Sequence, residues 1–250
     1  MAGSWLRPWH PAPRRAPALL CLAPAGAGCG QYRPWQELLG DDVSVIGVAL
    51  PGRESRWSDP MPGTLEEAVR QIAAEADALL APGQPCTVFG QSFGGLLGFE
   101  VVRRLAADHG RTPVALVVAA CRAPHLWVGA GNGLLAADDE LEKLLAARDL
   151  DPDLLDPGTR ELMLETLRAD VELSLTYRHP GRVVLPVPVE AWGGRDDTTV
   201  TAAHLAEWAV HTDDFRRREF PGGHYFCAEH TDDITALLRT LAREGDRHAS

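Results

Sequence analysis

With 250 residues the chain is long enough for one domain with a full core, and a net charge of −11 argues against a nucleic-acid partner, whose phosphates would repel it. An apolar share of 45% with 24% charged residues is that of a globular protein, and no apolar run approaches the ~20 residues that cross a membrane. Five cysteines without metal-ligand spacing suit a reducing cytoplasm with no disulfide framework.

Taken in order, residues 1–17 read as a disordered leader. They carry Pro8, Pro11, Pro13, Arg14 and Arg15 and lack the apolar segment of a signal peptide. Ala18–Leu22 reads as a buried strand that runs into Ala23-Pro24-Ala25-Gly26-Ala27-Gly28. Small residues there permit the close backbone approach that half of an oxyanion hole requires, with the Ala25 N–H as donor. Val43–Leu50 is the next strand, closed by Pro51-Gly52. Thr64 and Glu67 have capping-box spacing, which starts a helix running to about Leu80.

The stretch from Cys86 to Leu105 carries the chemistry. A short strand breaks at Gly90-Gln91-Ser92-Phe93-Gly94, and a helical pattern resumes with Leu96, Leu97, Phe99, Val101, Val102 and Leu105. G-x-S-x-G between strand and helix marks a sharp turn in which small neighbours let the chain reverse and expose the Ser92 hydroxyl. Serine is a weak nucleophile unaided, so this reading requires a base and an orienting acid further along the chain. The Phe93 N–H would supply the other half of the oxyanion hole.

A strand follows over Val114–Ala120, and strands alternating with helices predict a mostly parallel, doubly wound α/β sheet. From about His125 to His179 no strand pattern appears. Helical patterns near Asp138–Ala147 and Thr159–Tyr177, separated by Asp151-Pro152 and Asp156-Pro157, predict a helical lid insertion over about 125–180. Its apolar positions (Leu141, Leu144, Leu145, Leu162, Met163, Leu167, Val171 and Leu175) recur at three- and four-residue spacing, which predicts one apolar stripe per helix.

The sheet resumes with Val187–Trp192, a helix near Ala202–Val210, a strand over Phe215–Phe220 and a last helix from Thr231 to about Arg243. After Trp192 come Gly193-Gly194-Arg195-Asp196-Asp197, and an open α/β sheet places site residues past the carboxyl ends of its strands. Asp197 fits G-x-x-D-x-x-V counted from Gly194 to Val200, with Asp196 as the alternative acid. His224 is the histidine that follows a strand through a glycine turn, Pro221-Gly222-Gly223. Ser92, acid, His224 is the residue order of α/β hydrolases, so His224 is the candidate base.

The chain resembles the type II thioesterases, stand-alone editing hydrolases of polyketide and nonribosomal peptide assembly lines, from about Leu20 to Leu241. The resemblance rests on LAPAGAG followed by Gln31-Tyr32-Arg33-Pro34-Trp35, LPGRESR (Leu50–Arg56), GQSFGG, LRADVELSLTYRH (Leu167–His179) and PGGHYF. Leu167-Arg168-Ala169-Asp170 is the most specific of these tracts, being lid sequence with no catalytic reason to recur. The chain departs from the family at Gln91 (usually His), at Phe93 (usually Met, so that Phe93 would narrow the pocket beside the nucleophile) and in the composition of its first loop. The resemblance implies an α/β-hydrolase fold over 18–250 and hydrolysis of acyl thioesters from the phosphopantetheine arm of acyl or peptidyl carrier proteins. It implies no cofactor or metal in the protein itself, and a monomer. Carrier proteins are acidic, so docking needs a local basic patch, for which Arg33, Arg53, Arg56 and Arg122 are the candidates. A carboxylesterase or peptidase using the same triad, an acyltransferase or cyclase, and a non-catalytic binding module are the competing readings.

Overall fold

Buried strands with both faces covered read as continuous apolar runs. β2 (Ala18–Leu22), β3 (Ser44–Val48), β4 (Cys86–Gln91) and β5 (Ala115–Ala119) are buried at every residue, and β6 (Val189–Gly194) at all but its last. In this computed structural model, which describes residues 3–14, 16–127, 141 and 156–249, they join β1 (Leu6–Pro8) and β7 (Phe215–Phe220) in one sheet. The order is β1-β3-β2-β4-β5-β6-β7, with β1 antiparallel to β3 and every other pair parallel. Alternate side chains feed two cores. Leu20, Leu22, Val88, Leu116 and Val118 pack with helices α2 (Leu65–Leu79) and α3 (Phe93–His109), whereas Leu19, Cys21, Phe89 and Val117 pack with α1 (Arg33–Leu39) and the last helix (Thr231–Ala249).

The chain reverses its direction of travel across the sheet between β2 and β4. From β2 it passes through α1 on one face to β3, and from β4 through α3 on the other face to β5. The loops leaving the carboxyl ends of β2 and β4 therefore part to opposite faces and leave a crevice, the usual ligand position of an open α/β sheet. The loops carrying Ala25 and Ser92 are those two.

The N-terminal stretch corrects the expected disordered leader. Leu6 pairs with Val48 and Pro8 with Ile46, while Trp5 and Leu6 are buried. Arg56 stacks over the Trp5 ring at 4.6 Å, and the Trp5 N–H donates to Glu75 at 2.8 Å. Proline is tolerated because β1 lies at the sheet edge.

Thr64 caps α2 as expected, accepting from the Glu67 N–H at 3.1 Å, but Glu67 reaches back to the Gly63 N–H. In the insertion, helix α4 spans Pro157–Leu175. Asp156-Pro157, expected as a break, is its start: Asp156 caps the Thr159 N–H at 3.1 Å and Pro157 occupies the first turn. Leu167 and Val171 pack with Leu141, whereas Leu162, expected on the stripe, is 42% exposed. The inward stripe passes through Leu164 instead. Of the helix expected over Asp138–Ala147, Leu141 is described and fully buried, whereas its other residues, Leu144 and Leu145 included, lie outside the described residues.

Candidate active site

β4 ends at Gln91 and α3 begins at Phe93, which leaves Ser92 alone to make the reversal, at φ 51° and ψ −117°. A non-glycine residue adopts this backbone only where its surroundings enforce it, at roughly 1–3 kcal/mol. Enforcement comes from the Ser92 N–H, which donates to Ala119 O at 2.8 Å, and from the close passage of α3 beneath the loop after β2. A Cβ on Gly94 would sit 2.2 Å from Leu22 O and 2.6 Å from Ala23 O, so only glycine lets the two backbones meet. Phe93 is 1% exposed and packed into the core, which corrects its expected place on a pocket wall. Its N–H belongs to the first turn of α3, where backbone donors have no intrahelical partner.

The loop after β6 is held by the loop after β7. Arg195 and Asp196 donate their N–H groups to Phe220 O and Gly222 O at 2.9 and 3.0 Å. A Cβ on Gly194 would lie 2.2 Å from Gly223 O, so the two loops touch at backbone level. This contact brings Asp197 to His224: Oδ2 lies 2.8 Å from Nδ1. The other oxygen, Oδ1, accepts from the Thr199 N–H, the Thr199 hydroxyl and the Val200 N–H at 2.8, 2.7 and 3.0 Å. Burial opposes ionisation of Asp197, but its hydrogen bond and charge interaction with His224, with help from Thr199 and Val200, hold the carboxyl at about 2. Asp196 points outward and is exposed. With Nδ1 engaged by the carboxylate, Nε2 is the ring nitrogen left for chemistry.

Two supports are absent from the sequence reading. Thr199 fixes Asp197 from two positions downstream, the spacing of an Asx turn, which was the available signal. Gln91 donates from Nε2 to His224 O at 3.0 Å, so the residue before Ser92 anchors the backbone of the histidine loop.

The arginine candidates divide. Arg33 is exposed and Arg122 is half-buried, donating to Thr199 O at 2.9 Å. Arg53 and Arg56 are 6% and 3% exposed and are corrected from docking residues to structural ones. Arg56 bonds Asp59 and Ala49 O, both at 2.8 Å, and Arg53 pairs with Asp170. All five cysteines are free and buried. Among the described residues no His, Cys, Asp and Glu cluster is arranged to hold a metal, and no helix is long and apolar enough to cross a membrane.

The sequence matches the Thioesterase domain family over residues 17–244. Thioesterase PikA5 of Streptomyces venezuelae is 32% identical over 238 residues, covering 93% of this chain and 83% of its own. The AMB antimetabolite synthetase AmbE of Pseudomonas aeruginosa is 33% identical over 224 residues, but this chain spans only 10% of that much longer protein. Among solved structures, the type II thioesterase BorB from the borrelidin biosynthetic cluster superposes with a TM-score of 0.84 at 31% identity, covering 97% of this chain and 99% of its own. With the family matched over most of its length and the fold shared with BorB, the chain belongs to the thioesterase domain family and has type II thioesterases among its relatives.

Proposed function

We propose that this protein is a serine thioesterase that removes acyl groups from the phosphopantetheine thioester of acyl or peptidyl carrier proteins through a Ser92 acyl-enzyme. The observation that carries the reading is the 2.8 Å contact between Asp197 and His224, whose backbone is held by Gln91, the residue before a serine on a strained strand-to-helix turn. His224 Nε2 takes the Ser92 hydroxyl proton as Oγ attacks the thioester carbonyl carbon. Asp197 holds the tautomer through Nδ1–H and stabilises the imidazolium. The N–H groups of Phe93 and Ala25 receive the oxyanion, each worth roughly 3 kcal/mol of barrier. Collapse breaks the C–S bond, and the thiol departs with the proton from His224. Water, deprotonated by the same ring, then attacks the ester, which releases the carboxylic acid and restores Ser92. A thiolate leaves with less protonation than an amine needs, so one histidine serves both half-reactions. No cofactor takes part, the phosphopantetheine arriving with the substrate. The carrier protein docks transiently on a monomeric cytoplasmic enzyme.

The test is incubation with carrier proteins bearing acetyl, propionyl, malonyl and longer acyl groups, with release followed by mass spectrometry. Turnover should exceed that of a free p-nitrophenyl ester; the reverse would favour a small-molecule esterase, and transfer to an added amine or alcohol would favour an acyltransferase. Ser92→Ala should abolish release and fluorophosphonate labelling while leaving the fold intact.

A further inference from the structure

Asp170 lies on α4 with none of its surface exposed, and its two oxygens take three donors from two other parts of the chain. Arg53 donates from Nη1 at 2.6 Å and from Nη2 at 2.5 Å, and the Gly26 N–H donates at 2.6 Å. Arg53 Nη1 also donates to Ala27 O at 3.1 Å, so the pair grips the loop after β2 at an N–H and at a carbonyl. The next residue, Glu54, holds the far end of that loop through the Gly30 N–H at 2.8 Å.

The gripped loop is a turn closed by Ala27 N–H to Pro24 O at 3.0 Å, with Gly26 at φ 73°, as a type II turn requires. Since the Pro24 carbonyl points into the turn, the Ala25 N–H of the same trans peptide points out of it. That N–H has no acceptor among the described residues. The lid helix presses on the same turn: a Cβ on Gly26 would lie 3.0 Å from Leu167 Cβ, and Ala25 packs against the Leu141, Leu167 and Val171 cluster.

We infer that Arg53 and Asp170 are positioning residues, which hold the Ala25 N–H where the oxyanion forms and make that half of the hole depend on α4 being seated. The inference rests on the reading of the site given above. Burying an ion pair adds little net stability over an apolar pair of similar size, so stability alone does not account for a fully buried carboxylate on a lid. Preorganised backbone donors do, because a donor aimed in advance needs no reorganisation when charge develops. The arrangement also gives the Leu167-Arg168-Ala169-Asp170 tract a catalytic reason to exist.

The double variant Arg53→Met/Asp170→Leu should fold, with the Gly26 N–H unheld. Its kcat on an acyl thioester should fall about tenfold to hundredfold, the scale of an ångström-level misplacement, with KM within about twofold. Affinity for an alkyl trifluoromethyl ketone, whose adduct on serine is itself an oxyanion, should fall in parallel with kcat/KM. Asp170→Asn, which keeps an oxygen for the Gly26 N–H, should lose less than Asp170→Ala on both readouts. Wild-type kcat and ketone affinity in the folded variants, or a loss confined to KM, would overturn the inference. Ser92→Ala is measured alongside. If it is inert while the Arg53 and Asp170 variants are unimpaired, the positioning role alone falls; if it turns over like wild type, the reading of the site falls and takes this inference with it.

Discussion

Asp197 and Asp196 are neighbours in sequence with opposite surroundings, one buried against His224 and the other exposed. Asp197→Asn should lower kcat on the order of 10⁴-fold, as in serine protease triads, because the amide presents a donor to Nδ1 and selects the wrong tautomer. Asp196→Asn should stay within a few-fold in the same assay; the reverse ranking would move the orienting role to Asp196. Spacing from Gly194 to Val200 favours Asp197 in the sequence, since a G-x-x-D-x-x-V loop is a local pattern. Arginine burial is not local. Arg53 looks like any cation after a strand end, and its partner is 117 residues away, so only folding reveals that it is held inside.

At the scale of elements, short continuous apolar runs between turns mark the buried strands and 3.6 periodicity marks the major helices, and both signals fail where a few residues decide. β1 has three residues, and two prolines beyond it mask the burial of Trp5 and Leu6. In α4, Met163 and Leu164 are half-buried against the Ala25 cluster. Met163→Trp should therefore penalise release of long acyl chains more than acetyl, and Met163→Ala should relax that preference. Equal factors for every chain length, read by mass spectrometry, would show that α4 does not sense the acyl group. The insertion is also tied at its base: His125 before it, His179 after α4 and His211 below form one imidazole cluster, with His125 Nδ1 3.0 Å from His211 Nε2. Glu207 faces His125, and Tyr177, itself bonded to Glu100, faces His179. Burial first, then the neighbouring imidazoles, lowers the pKa of His179 and of His211, the latter against a backbone bond to Val183 O. Groups depressed in the folded state contribute stability that is intact above the unfolded value near 6.5 and is lost as pH falls below it. The urea midpoint should therefore drop between pH 7.5 and 5.5, and less so in His179→Gln.

For the molecule as a whole, a net charge of −11 opposes docking to an acidic carrier unless a cationic patch is turned outward. With Arg53 and Arg56 buried, Arg33 is the exposed candidate near the site loops. Arg33→Glu should raise KM for an acyl carrier protein severalfold and leave turnover of a p-nitrophenyl ester unchanged; equal effects on both would remove it from docking. The sequence by itself determined the α/β class and the order of strands and helices, because short continuous apolar runs, 3.6 periodicity and glycine turns are written within a few residues of one another. It also singled out Ser92, Asp197 and His224, whose turns carry short-range signatures. The tertiary structure alone decided that β2 and β4 part at the sheet's switch point, that residues 6–8 complete its edge, and that Asp170 reaches Arg53 and Gly26. Those contacts join segments far apart in the chain, and their energy depends on burial that no local window records.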